Sequence, residues 1–182
     1  MPRNIELKAR IHSVESLLPL AEQVAGAPPT LIEQDDTFFD VPHGRLKLRQ
    51  FADGSAELIH YHRPDVSEAK ASDYVRLSVP DPAALREALA RACGSGGRVR
   101  KQRWLFLAEQ TRIHIDRVEG LGDFVELEVV LRDGQSDAEG VRMAEKWMHA
   151  LGLSEAPRIA GAYVDLGEGA QVTQPQQHSF TL

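Results

Sequence analysis

Charged residues recur at every second position in several segments of this chain. In "NIELKARI" (4–11), Asn4, Glu6, Lys8 and Arg10 alternate with Ile5, Leu7, Ala9 and Ile11. "GRLKLRQ" sets Arg45, Lys47 and Arg49 opposite Leu46 and Leu48, and "RVRKQRW" pairs Lys101 with Arg103. "TRIHIDRV" places Arg112, His114 and Asp116 opposite Ile113 and Ile115, and "DFVELEVVL" places Glu126 and Glu128 opposite Val125, Leu127, Val129 and Leu131. "DYVRLSV" aligns Tyr74, Arg76 and Ser78. Strand side chains alternate between faces, so each segment carries its charge on one face. Arg and Lys pairs suit phosphate oxygens. Carboxylate pairs suit Mg²⁺ or Mn²⁺, which prefer oxygen ligands. A surface carrying both suits a polyanion accompanied by a divalent metal.

A charged face turned to water would explain any one of these strands. Six together, with basic pairs on some and a carboxylate pair on another, argue for charged faces turned inward around a lumen. Amphipathic helices would then cover the apolar faces outside. Glu6, Lys8 and Arg10 are therefore expected inside, and Ile5, Leu7 and Ile11 under helices. Confined charge needs partners, ions or ligand, because an unpaired buried charge is costly. Cations gathered in an empty lumen are expected to repel one another.

The elements that must position these residues read as follows. Strands are expected at about 4–11, 31–40, 44–51, 56–63, 73–79, 98–107, 111–118 and 123–132. Helices are expected over 13–25, 81–93 and 136–153, started by Ser13, Asp81 and Ser136 or Asp137. Pro19 fits the first of these only within its first turn. "GAYVDLG" (161–167) reads as a short strand and 64–72 as a polar loop. "CGSGGR" (93–98) reads as a flexible connection, since a phosphate loop runs from strand to helix. Cys93 reads as a helix-end residue, Trp104 and Trp147 as packing residues. His60 and His62 have zinc-like spacing but no third ligand nearby. The class is α+β, antiparallel, with enough strands to close into a barrel. One domain is expected over 1–167, with a mobile tail over 168–182.

The 182 residues carry a formal net charge of −6, are 42% hydrophobic and contain one cysteine. The single cysteine forms no internal disulfide and fits a reducing, cytoplasmic setting. The acidic balance argues against general nucleic-acid binding, and no apolar run approaches the roughly 20 residues of a membrane span.

These segments resemble the CYTH domain of the triphosphate tunnel metalloenzymes, most closely its class IV adenylyl cyclase branch. "NIELKARI" resembles that family's Glu-x-Glu-x-Lys strand and "QDDTFFD" (34–40) its second strand. "GRLKLRQ", "VRKQRWLF" and "HIDRVEGLGDFVELE" follow in its order, and the likeness spans about residues 3–166. The resemblance implies a closed antiparallel eight-stranded β-barrel, a tunnel, with helices packed outside. It implies Mg²⁺ or Mn²⁺ held by Glu6, Asp116, Glu126 and Glu128. It implies a triphosphate held by Lys8, Lys47, Arg49, Arg63, Arg76, Lys101, Arg103 and Arg158, with Lys8, Arg49 and Arg103 closest to the chemistry. Two departures stand out. Asn4 replaces the first Glu, and His62 with Arg63 replaces the fourth-strand Lys. These two lie on opposite strand faces, so at most one points inward.

The implied activity is cyclisation of ATP or hydrolysis of an organic or inorganic triphosphate, such as thiamine triphosphate. A small-molecule partner is expected, in a monomer or homodimer, without nucleic acid or membrane. The rivals are a non-catalytic nucleotide or polyphosphate-binding module, favoured by Asn4 and "YHRP", and a lipocalin-like binder, which demands an apolar lumen.

Overall fold

Alternation of apolar and charged side chains produces eight strands that hydrogen-bond edge to edge until the last meets the first. The structure is a computed structural model that describes residues 3–168. The strands are β1 (Arg3–Arg10), β2 (Thr30–Phe39), β3 (Arg45–Phe51), β4 (Ala56–His62), β5 (Lys70–Ser78), β6 (Ser95–Ala108), β7 (Thr111–Val118) and β8 (Gly122–Val130). They form a closed barrel in the order β1-β5-β4-β3-β2-β6-β7-β8, every pairing antiparallel. Closure removes both sheet edges.

The helices are α1 (Val14–Ala25), α2 (Pro82–Cys93), α3 (Asp137–Ala150) and α4 (Tyr163–Glu168). Helix α1 lies on β6 and β7, α2 on β2 and β3, and α3 chiefly on β1 and β8. The outward apolar faces supply the main core: Ile5, Leu7, Ile113, Ile115, Val125 and Leu127 pack beneath Leu17, Ala21, Trp147 and Met148. Each large side chain so buried contributes about 1.5–3 kcal/mol. Contact between α3 and β1 is close enough to require Gly140, where a Cβ would stand 2.4 Å from Ile5. Ser136 and Glu139 form a reciprocal capping box at the start of α3.

Four local expectations are corrected. "GAYVDLG" is not a strand. Gly161 turns at φ +71°, the Ala162 amide donates to the Asp165 carboxylate at 2.7 Å, and α4 follows. Its buried Tyr163 and Val164 are adjacent in sequence, a helical arrangement that short alternation mimics. "CGSGGR" is not a free connection: β6 begins at Ser95 and its glycines run beside β2 across an irregularity at Phe38/Phe39. Strand β5 begins at Lys70, inside the expected loop. Pro19 lies beyond the first turn of α1, on an exposed position where the carbonyl left without its partner faces water. The tail expected over 168–182 lies outside the described residues, apart from Glu168 at the end of α4.

Candidate functional site

The barrel lumen holds a cavity of about 300 Å³ lined by eight cationic side chains and five carboxylates. The lining is thus cationic on balance, in a chain that is acidic overall. Glu6, Lys8, Lys47, Arg49, Arg63, Arg76, Lys101, Arg103, Glu126 and Glu128 all reach it. A charged lumen removes the lipocalin-like reading. Helix α4 closes one end: Tyr163 and Ala162 pack with Phe38, Tyr61, Val99 and Phe124. The tunnel is therefore blind at that end. At the other end Arg76 is half exposed, and Ile32, Phe51 and Leu105 add an apolar arc to the lining.

Strand parity decides between His62 and Arg63. Arg63 reaches the lumen and His62 is exposed outside. Arg63 bonds Glu6 and donates to the Gly161 carbonyl at 2.9 Å, tying the lumen to the turn before α4. Arg158 does not complete the tunnel. It lies outside the lumen, its guanidinium 3.0 Å from Glu145 of α3, because its backbone bridges Ala9 and carries it along the barrel exterior. Arg10 leaves the cavity at the strand end, over the Phe124 ring, donating to the Leu121 carbonyl at 2.8 Å. His60 is held by the His43 carbonyl at 2.9 Å, and no group of three potential metal-ligating side chains forms among the described residues.

Buried carboxylates stand between the cations and offset their mutual repulsion. Asp36 accepts two bonds from Arg49, both at 2.7 Å, and one from Lys47 at 3.0 Å. Asp116 accepts from Arg103 at 2.7 and 2.6 Å and from the Tyr163 hydroxyl at 2.9 Å, with Lys101 at 3.6 Å. Glu126 accepts from Arg103 at 2.8 Å and lies 3.4 Å from Lys8. Glu128 takes Arg112 at 3.1 Å and the Asn4 amide. Arg49 and Arg103 both meet their carboxylates through Nε and Nη2. A guanidinium has five donors, so each keeps its Nη1 edge for another anion.

These environments shift the titrations. Burial would raise Asp36, but Arg49 and Lys47 outweigh it and hold the carboxyl far below its ordinary range. Burial likewise opposes ionisation of Glu126, yet Lys8 and the other neighbours keep it well below the usual glutamate value. Burial, then the charge of Arg103, lowers Lys101 well below the ordinary lysine value. Burial lowers Lys8 against the pull of Glu126. Burial, then Arg49, brings Lys47 down to about 8.

A pH dependence follows. The empty protein loses the Lys47 charge as pH rises through about 8. A bound polyphosphate favours the charged form, so binding takes up protons there. Affinity for triphosphate, measured calorimetrically, should fall between about pH 7.5 and 9.5, approaching about tenfold per unit at the upper end. Lys47→Arg should flatten part of this fall, and a flat parent profile would exclude it. The stability sign is opposite. The unfolded chain binds the Lys47 proton up to the ordinary lysine value of 10.5, so this residue makes the empty fold more stable as pH rises from about 8 towards that value.

Glu6, Glu126 and Glu128 offer oxygens in one lumen, although among the described residues they do not stand gathered as a ready group of three, and the buried Asn4 Oδ1 beside Glu128 has no hydrogen-bond partner among those residues. These are the donors that Mg²⁺ or Mn²⁺ prefers. Asp116 does not fit. It is fully buried and committed to Arg103, Lys101 and Tyr163, so it anchors cations rather than facing a metal.

The sequence reading missed Asp36 and Tyr163. Asp36 lies within "QDDTFFD", on the same strand parity as Gln34 and Phe38, and that parity could have found it. Tyr163 was hidden by the strand reading of its segment. Its ring sits 4.0 Å from the Lys8 ammonium and 4.9 Å from that of Lys101.

Three comparisons place this geometry among known proteins. None of the curated proteins matches the chain. Among solved structures, the PH1012 protein of Pyrococcus horikoshii superposes with a TM-score of 0.78 at 24% identity, covering 90% of this chain and 98% of that one. A Vibrio parahaemolyticus protein assigned by name as an adenylate cyclase gives 0.73 at 20% identity, covering 90% and 96%. HpAC1 of Hippeastrum, named as an adenylyl cyclase and reported with a dominant triphosphatase activity, gives 0.67 at 16% identity, covering 98% and 100%. At these identities the likeness is one of fold. The family model for the CYTH domain matches residues 2–163, and with that span the chain belongs to the CYTH family of triphosphate tunnel proteins.

Proposed function

We propose that this chain is a divalent-metal-dependent enzyme acting on an organic triphosphate, by hydrolysis or by cyclisation of ATP. One observation carries the reading: cations from β1, β3, β5, β6 and β7 converge on a single blind cavity, two of them, Arg49 and Arg103, with a donor edge still free. Ile32, Phe51 and Leu105 favour an organic group at the open end, since an apolar arc offers nothing to phosphate. Lys8, Lys47, Arg49, Lys101 and Arg103 would fix the phosphate chain and neutralise charge as it develops on the leaving group. Their buried carboxylate anchors hold them in place before the substrate arrives, so little reorganisation accompanies reaction. A divalent metal held by Glu6, Glu126 and Glu128, with Asn4 beside them, would supply Lewis-acid polarisation of phosphoryl oxygens. Hydrolysis needs water at a phosphorus. Cyclisation needs the ribose 3′-hydroxyl at the α-phosphorus, with pyrophosphate leaving. The triphosphatase activity reported for the Hippeastrum relative favours hydrolysis.

A second reading, a non-catalytic nucleotide or polyphosphate-binding module, is favoured by the carboxylates themselves. Glu6, Glu126 and Glu128 are each already paired with a cation, and a metal must displace those pairs. The test measures phosphate release and cyclic AMP formation from ATP, thiamine triphosphate and inorganic triphosphate, with Mg²⁺ and Mn²⁺. Metal-dependent turnover of an organic triphosphate is expected, and Glu126→Gln or Glu128→Gln should remove it while the fold remains. Binding without turnover of any of the three would leave the module.

A further inference from the structure

One buried lysine beside the cavity lining lacks the arrangement its neighbours share. Lys8, Lys47, Arg49, Arg63, Lys101 and Arg103 each stand within 4 Å of a carboxylate. Lys70 is 4% exposed and, among the described residues, has no carboxylate partner. Among the described residues its ammonium bonds only the backbone carbonyl of Val66 in the preceding loop. Lys70 opposes Glu6 across the β1–β5 pairing, and directly opposed residues of antiparallel strands share a face. Ser72, two residues along β5, lines the cavity, so Lys70 leaves the strand on the lumenal side. Arg63 and Lys8 act on it as like charges, and Glu6 and Glu126 as opposite ones, which places it in the same electrostatic neighbourhood.

We propose that Lys70 is a further anion-binding residue of the lumen, turning from the Val66 carbonyl onto a phosphate group at the closed end, beside Lys8 and Arg63. A buried ammonium bonded to one neutral carbonyl is poorly compensated, whereas a phosphate oxygen supplies a full negative charge. The four-carbon stem has the rotational freedom for the turn. Being free of a carboxylate, Lys70 gives its whole charge to the ligand, whereas the other six share theirs with a carboxylate already in place.

The inference rests on the triphosphate reading of the cavity, and its test separates the two. Inorganic triphosphate binding is measured by calorimetry on the parent, Lys70→Met, Lys70→Gln and Lys70→Arg, with the melting temperature of each empty protein. Removal of the ammonium should weaken binding by about tenfold or more, the value of a charged hydrogen bond. Lys70→Arg should stay within about threefold of the parent, since it keeps the charge and donors. Lys70→Gln serves should Lys70→Met fail to fold. A parent that binds triphosphate while the neutral variants bind it equally well would overturn the role of Lys70 alone, leaving it as an anchor for Val66 that alters only the empty melting temperature. A parent that does not bind triphosphate would overturn both readings.

Discussion

Asp116→Asn should destabilise the empty protein by about 3–5 kcal/mol, the usual consequence of removing one partner from a buried ion pair. Asn keeps the shape and can still accept from the Tyr163 hydroxyl. It cannot balance Arg103, bonded at 2.7 and 2.6 Å, or Lys101 at 3.6 Å. For a chain of 182 residues the melting temperature should fall on the order of 10 °C. Triphosphate should restore part of the loss, because it brings negative charge to the same two cations. Urea unfolding with and without the ligand measures both effects. A residue whose task is to hold a metal would behave otherwise: its variant would lose metal affinity and keep the stability of the empty protein. That second outcome would return Asp116 to the metal site.

The barrel was legible because β-structure writes itself at period two. "NIELKARI" and "DFVELEVVL" each declare a buried face and a charged face, and closure follows from having to hide the charged faces together. The three long helices were legible from their caps. Helix α4 was not: six residues are too few to establish a helical period, and its ends are held by contacts distant in sequence, Arg45 on Asp165 at 2.8 Å and Arg63 on Gly161. The start of β6 was hidden by glycines that are read as breakers but here run beside β2 near Asp40.

At the site, alternation and family likeness named the inward cations, but alternation cannot say what neutralises them. Asp36 and Asp116 lie on different strands from the cations they hold, so their pairing is a property of register. Arg49 meets Asp36 because β3 pairs with β2 at that step, and Arg103 meets Asp116 by the same logic on β6 and β7. Arg158 shows the converse failure. A late basic residue in the right part of the chain was placed outside the lumen by the single bridge between Ala9 and its own backbone.

Inorganic triphosphate with Mg²⁺ should raise the melting temperature, and monophosphate should do much less. A ligand at a hundredfold excess over its dissociation constant stabilises the fold by about 2.7 kcal/mol. For a domain of this size that corresponds to roughly 5–10 °C. The selectivity for the longer anion comes from spacing. Arg49 and Arg103 are fixed on β3 and β6 by Asp36 and Asp116, each with an Nη1 edge free, and Lys8 lies across the lumen on β1. One phosphate can reach part of that set, while a chain of three spans more of it. Arg49→Ala should reduce the ligand-induced rise substantially. The rise, rather than the absolute melting temperature, is the quantity to compare, because this substitution also leaves Asp36 with Lys47 as its remaining bonded cation. Arg132→Ala, beyond the end of β8 and away from the cavity lining, should leave the rise unchanged. Equal rises with triphosphate, pyrophosphate and phosphate on parent and both variants would reduce the lumen to a nonspecific cationic patch, since a built clamp must distinguish anions by length as well as by charge.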